Sequence, residues 1–304
     1  MASVTSTSKQ AIKTSLSSSK SKQKTLSQYV SIKGTGLFTG CKSEITLCPA
    51  PAGTGIVFKR VDLPNHPLIP AKVSSIFKTP RCTILGNESV YVQSVEHILS
   101  AINAYDIDNL YIEVSNCEIP SGDGSANVFV ELIEKSGIAC LADSRTIHHL
   151  TAPIFWSRGE VHLIALPSEE FRISYTLSYP NSKLLESQFY STPVNPDLFK
   201  KEIASCRTFS LYEEIVPLIE QGLIKGGTLD NGVVIKNDAV INPEGLRFSD
   251  ECVRHKVLDL IGDISLIGFP LLVHIVAIKS GHTSNTLFAK EIVDHMNTFR
   301  VRDE

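Results

Sequence analysis

The chain has 304 residues, of which 42% are hydrophobic and 20% charged, and its formal net charge is −3 at pH 7. This excludes a disordered chain and a disulfide-stapled mini-protein, and it leaves one large domain or two ordinary ones. The acidic balance argues against a nucleic-acid partner held by bulk charge. No apolar run reaches the roughly 18 residues of a membrane span.

Residues 1–24 differ from the rest. They carry five lysines (Lys9, Lys13, Lys20, Lys22, Lys24), no acid, and many Ser and Thr, which predicts a disordered basic head. A solvated tail is one reading and an organelle transit peptide the other, although the head lacks the arginines common in transit peptides. Nothing near Met1 resembles a secretory apolar core, so the chain is expected in the cytoplasm, with organelle import as the alternative. Seven cysteines, an odd number without CxxC spacing, read as reduced thiols, most of them core residues, and argue against a thiolate metal site.

From Thr25 onward the chain alternates structural signals. Tyr29–Ile32, Glu44–Leu47 and Ile56–Lys59 read as strands joined by Gly-rich turns. Ser94–Asn103 has a helical period, with Val95, Ile98, Leu99 and Ile102 on one face. Leu110–Val114 reads as a strand and Ala126–Lys135 as a second helix. The second half repeats this order. Pro153–Ser157, Val161–Leu166 and Ser174–Leu177 are strand-like, Pro196–Ile203 helix-like and Gly232–Ile235 a strand. A helix over Cys252–Ile261, a strand over Leu271–Lys279 and a helix over Ser284–Met296 complete it.

Displacing residues 95–133 without a gap onto 254–292 aligns Leu99 with Leu258, Ile102 with Ile261 and Val114 with Val273. Ser121-Gly122 then meets Ser280-Gly281, and Phe129 meets Phe288. The pattern reads as a duplicated helix–strand–helix unit, and so as two α+β domains of similar fold, 25–145 and 146–304. Between the copies the polar helix starts diverge: Glu96-His97 in the first, His255-Lys256 in the second. Packing about a pseudo-twofold axis would bring both starts to one cleft.

His255 and Asp259 are i and i+4, so they project from one helix face. With His97 they would form a His2Asp set, three protein ligands for zinc with a fourth position open. An ordinary His–Asp helix pair is the commoner meaning of that spacing. Glu96, beside His97, suits a general base, or a surface carboxylate favoured by the helix dipole. His282 lies in the strand-to-helix turn Gly281-His282-Thr283-Ser284. Gly281 would allow close approach of a ligand, and Asp263 would pair with an imidazolium at His282. A turn histidine capping the helix is the plain alternative. His274, inside an apolar strand, reads as a core histidine.

Three segments, Ser94-Val-Glu96-His97-Ile-Leu-Ser-Ala101, Arg254-His255-Lys256-Val-Leu-Asp259-Leu-Ile-Gly-Asp263 and Gly281-His282-Thr-Ser-Asn285, resemble the signatures of the UDP-3-O-acyl-N-acetylglucosamine deacetylases, zinc amidases of lipid A synthesis. Ile119-Pro-Ser-Gly-Asp123-Gly-Ser-Ala126, Cys206-Arg-Thr-Phe209 and Gly226-Gly-Thr-Leu-Asp-Asn231 support this. The resemblance runs from about Thr25 to Met296, and Ser121-Gly122 departs from the bulkier pair of some relatives. It implies two domains, each a two-layer sandwich of helices on a β-sheet with an insert, the second insert providing an acyl-chain passage. It implies zinc on His97, His255 and Asp259, Glu96 as base, and His282 as acid or electrostatic stabiliser backed by Asp263. Thr208 would support the oxyanion. Phe209, Lys256 and Gly281 would meet the substrate, an amphiphilic UDP-acyl-sugar, and Lys256 would place a cation beside the reacting group. A monomer is expected. A zinc deacetylase of the same fold acting on another N-acyl sugar, or a non-catalytic nucleotide-sugar binder, are the rival readings.

Overall fold

The computed structural model describes residues 21–300. Most of the basic head therefore lies outside the described residues. Its end is a correction: Lys22–Leu26 is a strand paired antiparallel with Ile138–Ser144. The lysines there are not a solvated run, because Lys24 faces Asp106 at 3.6 Å and its backbone N–H donates to Asp108 at 2.8 Å. Leu26 is buried in the core.

Two sheets repeat one topology. The first orders its strands Val30–Thr35, Lys42–Pro49, Leu110–Val114, Ile56–Arg60 and Leu68–Pro70. The second orders Ile154–Arg158, Val161–Pro167, Leu271–Ile278, Arg172–Leu177 and Gln188–Pro193. In each, the central strand runs parallel to the fourth strand of this order, and the other neighbouring pairs are antiparallel. A further short strand, His148–His149, joins the second sheet beside Leu271 and Leu272. The central strand Leu271–Ile278 alternates buried and half-buried residues, as a sheet covered by helices on one face requires. The first central strand stops at Val114, because the chain beyond it turns aside to bond Gln93: the Gln93 N–H donates to Cys117 O at 2.9 Å and the Ile119 N–H to Gln93 O at 3.2 Å.

Helices α1 (Glu96–Ala104) and α2 (Asn127–Ser136) belong to the first unit. In the second, α3 (Pro196–Leu198) continues into a wider turn over Phe199–Ile203, and α4 (Tyr212–Glu220), α5 (Glu251–Ser265) and α6 (His282–Arg300) follow. The most extensive helix contact is α1 against α5, and α5 also packs on the second sheet at Arg172–Leu177 and Gln188–Pro193. Gly262 permits that approach, since a Cβ there would lie 2.1 Å from the backbone oxygen of Glu96. Tight crossings of this kind need a residue without a side chain.

Each unit inserts a small three-stranded sheet, the first between Leu68–Pro70 and α1 and the second between Gln188–Pro193 and α5. The first insert is Ile76–Lys78, Ile84–Gly86 and Tyr91–Gln93; the second is Phe209–Leu211, Val233–Lys236 and Ala239–Val240, with α4 inside it. The second insert is stitched to the first unit by backbone bonds: Thr208 N–H to Gly124 O at 2.8 Å, and Gly226 N–H to Leu37 O at 3.0 Å.

Candidate active site

The α1–α5 contact positions the cluster. Glu96 and His97 open α1, and His255, Lys256, Asp259 and Asp263 follow one another down α5. His282 opens α6. At both strand-to-helix entries the backbone takes a left-handed turn at a residue other than glycine, Ser94 (φ 61°) and Lys279 (φ 55°). Such conformations are costly and persist where the surroundings fix them. Around Ser94 the fixing group is Glu118, fully buried, which accepts from Ser94 Oγ at 3.2 Å and from the backbone N–H groups of Phe38 and Thr39 at 2.9 and 2.8 Å.

His97 Nε2 and His255 Nε2 lie 3.5 and 3.3 Å from Asp259 Oδ1. One ligand atom from each of the three residues can be chosen so that all lie within 4.8 Å of one another. The other nitrogen of His255, Nδ1, is 3.0 Å from the carbonyl oxygen of Cys206. A carbonyl only accepts, so Nδ1 carries the proton and Nε2 presents its lone pair. Burial, aided by neighbouring Lys256 and His97, pulls His255 down to about 4 against the opposing charge of Asp259, so the imidazole is neutral at pH 7. Asp259 Oδ2 accepts from Lys256 Nζ at 2.9 Å, whereas Oδ1, equally buried, has no hydrogen-bond partner. Although burial opposes ionisation, His255, Lys256 and His282 hold the Asp259 carboxyl well below its ordinary range. An orphaned buried carboxylate oxygen facing two imidazole nitrogens fits a divalent cation.

A second chain of contacts runs beside it. His282 Nδ1 lies 2.9 Å from Asp263 Oδ2, and Nε2 lies 3.8 Å from Glu96 Oε1. Burial alone would favour the neutral imidazole, but Asp263, Glu96 and Asp259 together raise His282 to about 10. That charge sits at the N-terminus of α6, where the helix dipole disfavours it, and Asp263 offsets the conflict. Glu96 is itself buried, and desolvation raises its pKa against the pull of His282 and His97. Glu96 and His282 thus face each other across 3.8 Å, both with raised proton affinity.

A cavity of about 730 Å³ opens over the cluster. Glu96, His97, His255, Lys256, Asp259 and His282 line it, as do Thr208, Phe209 and Gly281. Lys256 Nζ lies 5.5 Å from the Phe209 ring centre, and the Phe209 and His255 rings are 6.4 Å apart. Beside Gly281 a Cβ would meet only open space. Asp263 lies apart: it is fully buried behind His282 and does not face the cavity. The far end of the cavity is apolar, formed by the second insert with Ile215, Ile219, Ile224, Leu229, Val234 and Ile241. His274 is away from the site and bonds Ser174 Oγ at 2.8 Å.

Several residues that support this site escaped the sequence reading. Arg207 is fully buried and paired with the equally buried Glu251, its Nε 2.9 Å from Oε1, and this pair anchors the segment carrying Cys206 and Thr208. Asn285 donates to Asp263 Oδ2 at 2.9 Å. The signature segments contained Arg207 and Asn285, but nothing in their spacing announced these partners.

Two α+β units closed around one cluster of carboxylates and imidazoles, beneath a cavity with a polar and an apolar end, define an enzyme, and its class is that acting on amides. The family model described as LpxC: UDP-3-O-acyl N-acetylglycosamine deacetylase matches residues 23–294, and the chain belongs to that family. It is similar to the UDP-3-O-acyl-N-acetylglucosamine deacetylase of Chlamydia pneumoniae, 46% identical over 273 residues, covering 90% of this chain and 97% of the relative. The deacetylases of that name from Chlamydia caviae and Chlamydia muridarum are each 44% identical over 272 residues, covering 90% of this chain and 97% and 95% of theirs.

Proposed function

We propose that this deacetylase works as a zinc hydrolase on a UDP-3-O-acyl-N-acetylglucosamine, the substrate of its family in lipid A synthesis, with His97, His255 and Asp259 holding the metal. The observation that carries the reading is the buried Oδ1 of Asp259, without a hydrogen-bond partner and within 3.5 Å of both imidazole Nε2 atoms. When bound there, zinc supplies a Lewis acid that polarises the acetamide carbonyl and makes a water more acidic. Glu96 takes a proton from the attacking water. The water oxygen adds to the acetyl carbon, and the Thr208 hydroxyl and the His282 imidazolium face the charge that develops on the carbonyl oxygen. The Nε2 proton of His282 passes to the amide nitrogen, the C–N bond breaks, and acetic acid, which ionises to acetate, and a free amine result, while the proton held by Glu96 restores the His282 imidazolium. Asp263 accepts the hydrogen bond from Nδ1–H of His282 and holds the ring in place, while Lys256, Phe209 and Gly281 bound the sugar end. The apolar end of the cavity suits the acyl chain, so one cavity serves both parts of an amphiphile.

The domain division at 145/146 belongs to the same proposal and is supported by the chain leaving one β-ribbon at Ser144 and joining the second sheet at His148. Among the described residues no helix is long and apolar enough to cross a membrane. Cytoplasmic residence and a monomeric state are carried forward as proposals from the sequence.

The test is chelation. Purified protein should contain about one zinc per chain, lose acetate release on exhaustive chelation and regain it on adding zinc alone. It should prefer the acylated UDP-sugar to its non-acylated form. Full turnover without metal overturns the zinc reading.

A further inference from the structure

The first insert contributes one residue that touches both halves of the proton-transfer pair. Thr83 is fully buried, and each of its polar groups is engaged. Its backbone N–H donates to Glu96 Oε2 at 2.9 Å, its hydroxyl donates to Asp263 Oδ1 at 2.6 Å, and its carbonyl accepts from Val95 N–H at 3.5 Å. Glu96 belongs to the first unit and Asp263 to the second, so this residue spans the joint between them.

We propose that Thr83 is a positioning residue that fixes the carboxylates of Glu96 and Asp263 in one mutual orientation, and that it thereby selects Glu96 Oε1 as the proton-accepting oxygen. The proposal rests on the acid–base roles given above to Glu96 and His282. With Oε2 occupied by the Thr83 amide, Oε1 is the oxygen left facing His282, 3.8 Å from Nε2. On the other side, Asp263 has its Oδ1 filled by Thr83 Oγ1 and its Oδ2 shared between Asn285 Nδ2 and His282 Nδ1. Rotation of the Asp263 carboxylate would break several of these bonds together. Thr is suited to the post because its β-branched side chain is stiff at χ1. Removing the hydroxyl leaves a carboxylate oxygen of a fully buried acid without its donor, a costly state that reorientation relieves. The imidazole of His282 then loses a fixed partner, although no residue lining the cavity has been substituted.

Thr83→Val keeps the shape and the backbone N–H and removes only the hydroxyl. It is expected to lower kcat by about 10–100-fold, the usual effect of losing a partner one layer behind a reacting group. KM and zinc content should stay within twofold, and Thr83→Ser should restore most of the rate. The downfield proton signal of the His282 Nδ1–H bond should weaken in Thr83→Val and return in Thr83→Ser. In the background of Asp263→Ala, Thr83→Val should cost nothing further. Wild-type kcat with an unaltered proton signal in Thr83→Val, or a full independent loss in the Asp263→Ala background, overturns the proposal. Thr83→Ala repeats the comparison if the valine variant folds poorly. Failure of the underlying reading shows separately, as unimpaired turnover in Glu96→Gln.

Discussion

The two units share one order of five strands, yet their contributions to the site are unequal. The first supplies Glu96 and His97 from a single helix start; the second supplies His255, Lys256, Asp259 and Asp263 along α5 and His282 from α6. The inserts divide in the same way. The first, through Thr83, meets the carboxylates, whereas the second lines the apolar end of the cavity. The duplication has kept the core, where packing tolerates little change, and let the polar positions at the α1–α5 contact diverge. The base, acid and ligand set proposed above would then be assembled from two copies that no longer match.

The asymmetry can be broken first at its chemical end. Glu96→Gln and His282→Gln, one from each unit, should each lower kcat by about 10²–10⁴-fold with zinc retained; metal analysis beside steady-state kinetics checks both. Next comes the buried pair of the second unit. Arg207→Met strands Glu251 and should cost about 3–5 kcal/mol in denaturant unfolding. The pH dependence follows. Burial would push the Glu251 carboxyl up, but Arg207 and two backbone N–H groups hold it below its ordinary value. A lowered folded-state value gives stability that is present above the unfolded value of about 4.3 and is lost as pH falls through the folded one. Arg207→Met should therefore move acid unfolding to higher pH, as followed by circular dichroism. The smallest change probes the contact between the units. Gly262→Ala drives a Cβ against the Glu96 backbone and should cost about 1–3 kcal/mol, seen as a lowered unfolding midpoint, with kcat falling as Glu96 shifts.

Much of the framework was legible because it is periodic. The apolar stripe of Ile98, Leu99 and Ile102 and the apolar run over Leu271–Ile278 announce their elements within a few residues. That His97, His255, Asp259, Glu96 and His282 gather in one place was legible from the two diverging helix starts and the strand-to-helix turn before α6. What escaped is non-local or too short. The three-residue strands of the first insert offer no period to read, and α4 contains Pro217, which argues against a helix there. Lys22–Leu26 pairs with a strand more than a hundred residues away, and its lysines read as part of a basic tail. Thr83 carries no local signal, since its partner Asp263 lies 180 residues further along.

The link between Ser144 and His148 has a consequence for what a fragment of this protein can do. Severed there, the amino-terminal piece keeps one imidazole of the proposed ligand set, and the carboxy-terminal piece keeps the other with its aspartate. On that proposal neither piece alone owns a complete centre, so hydrolysis would be a property of the seam and not of either fold.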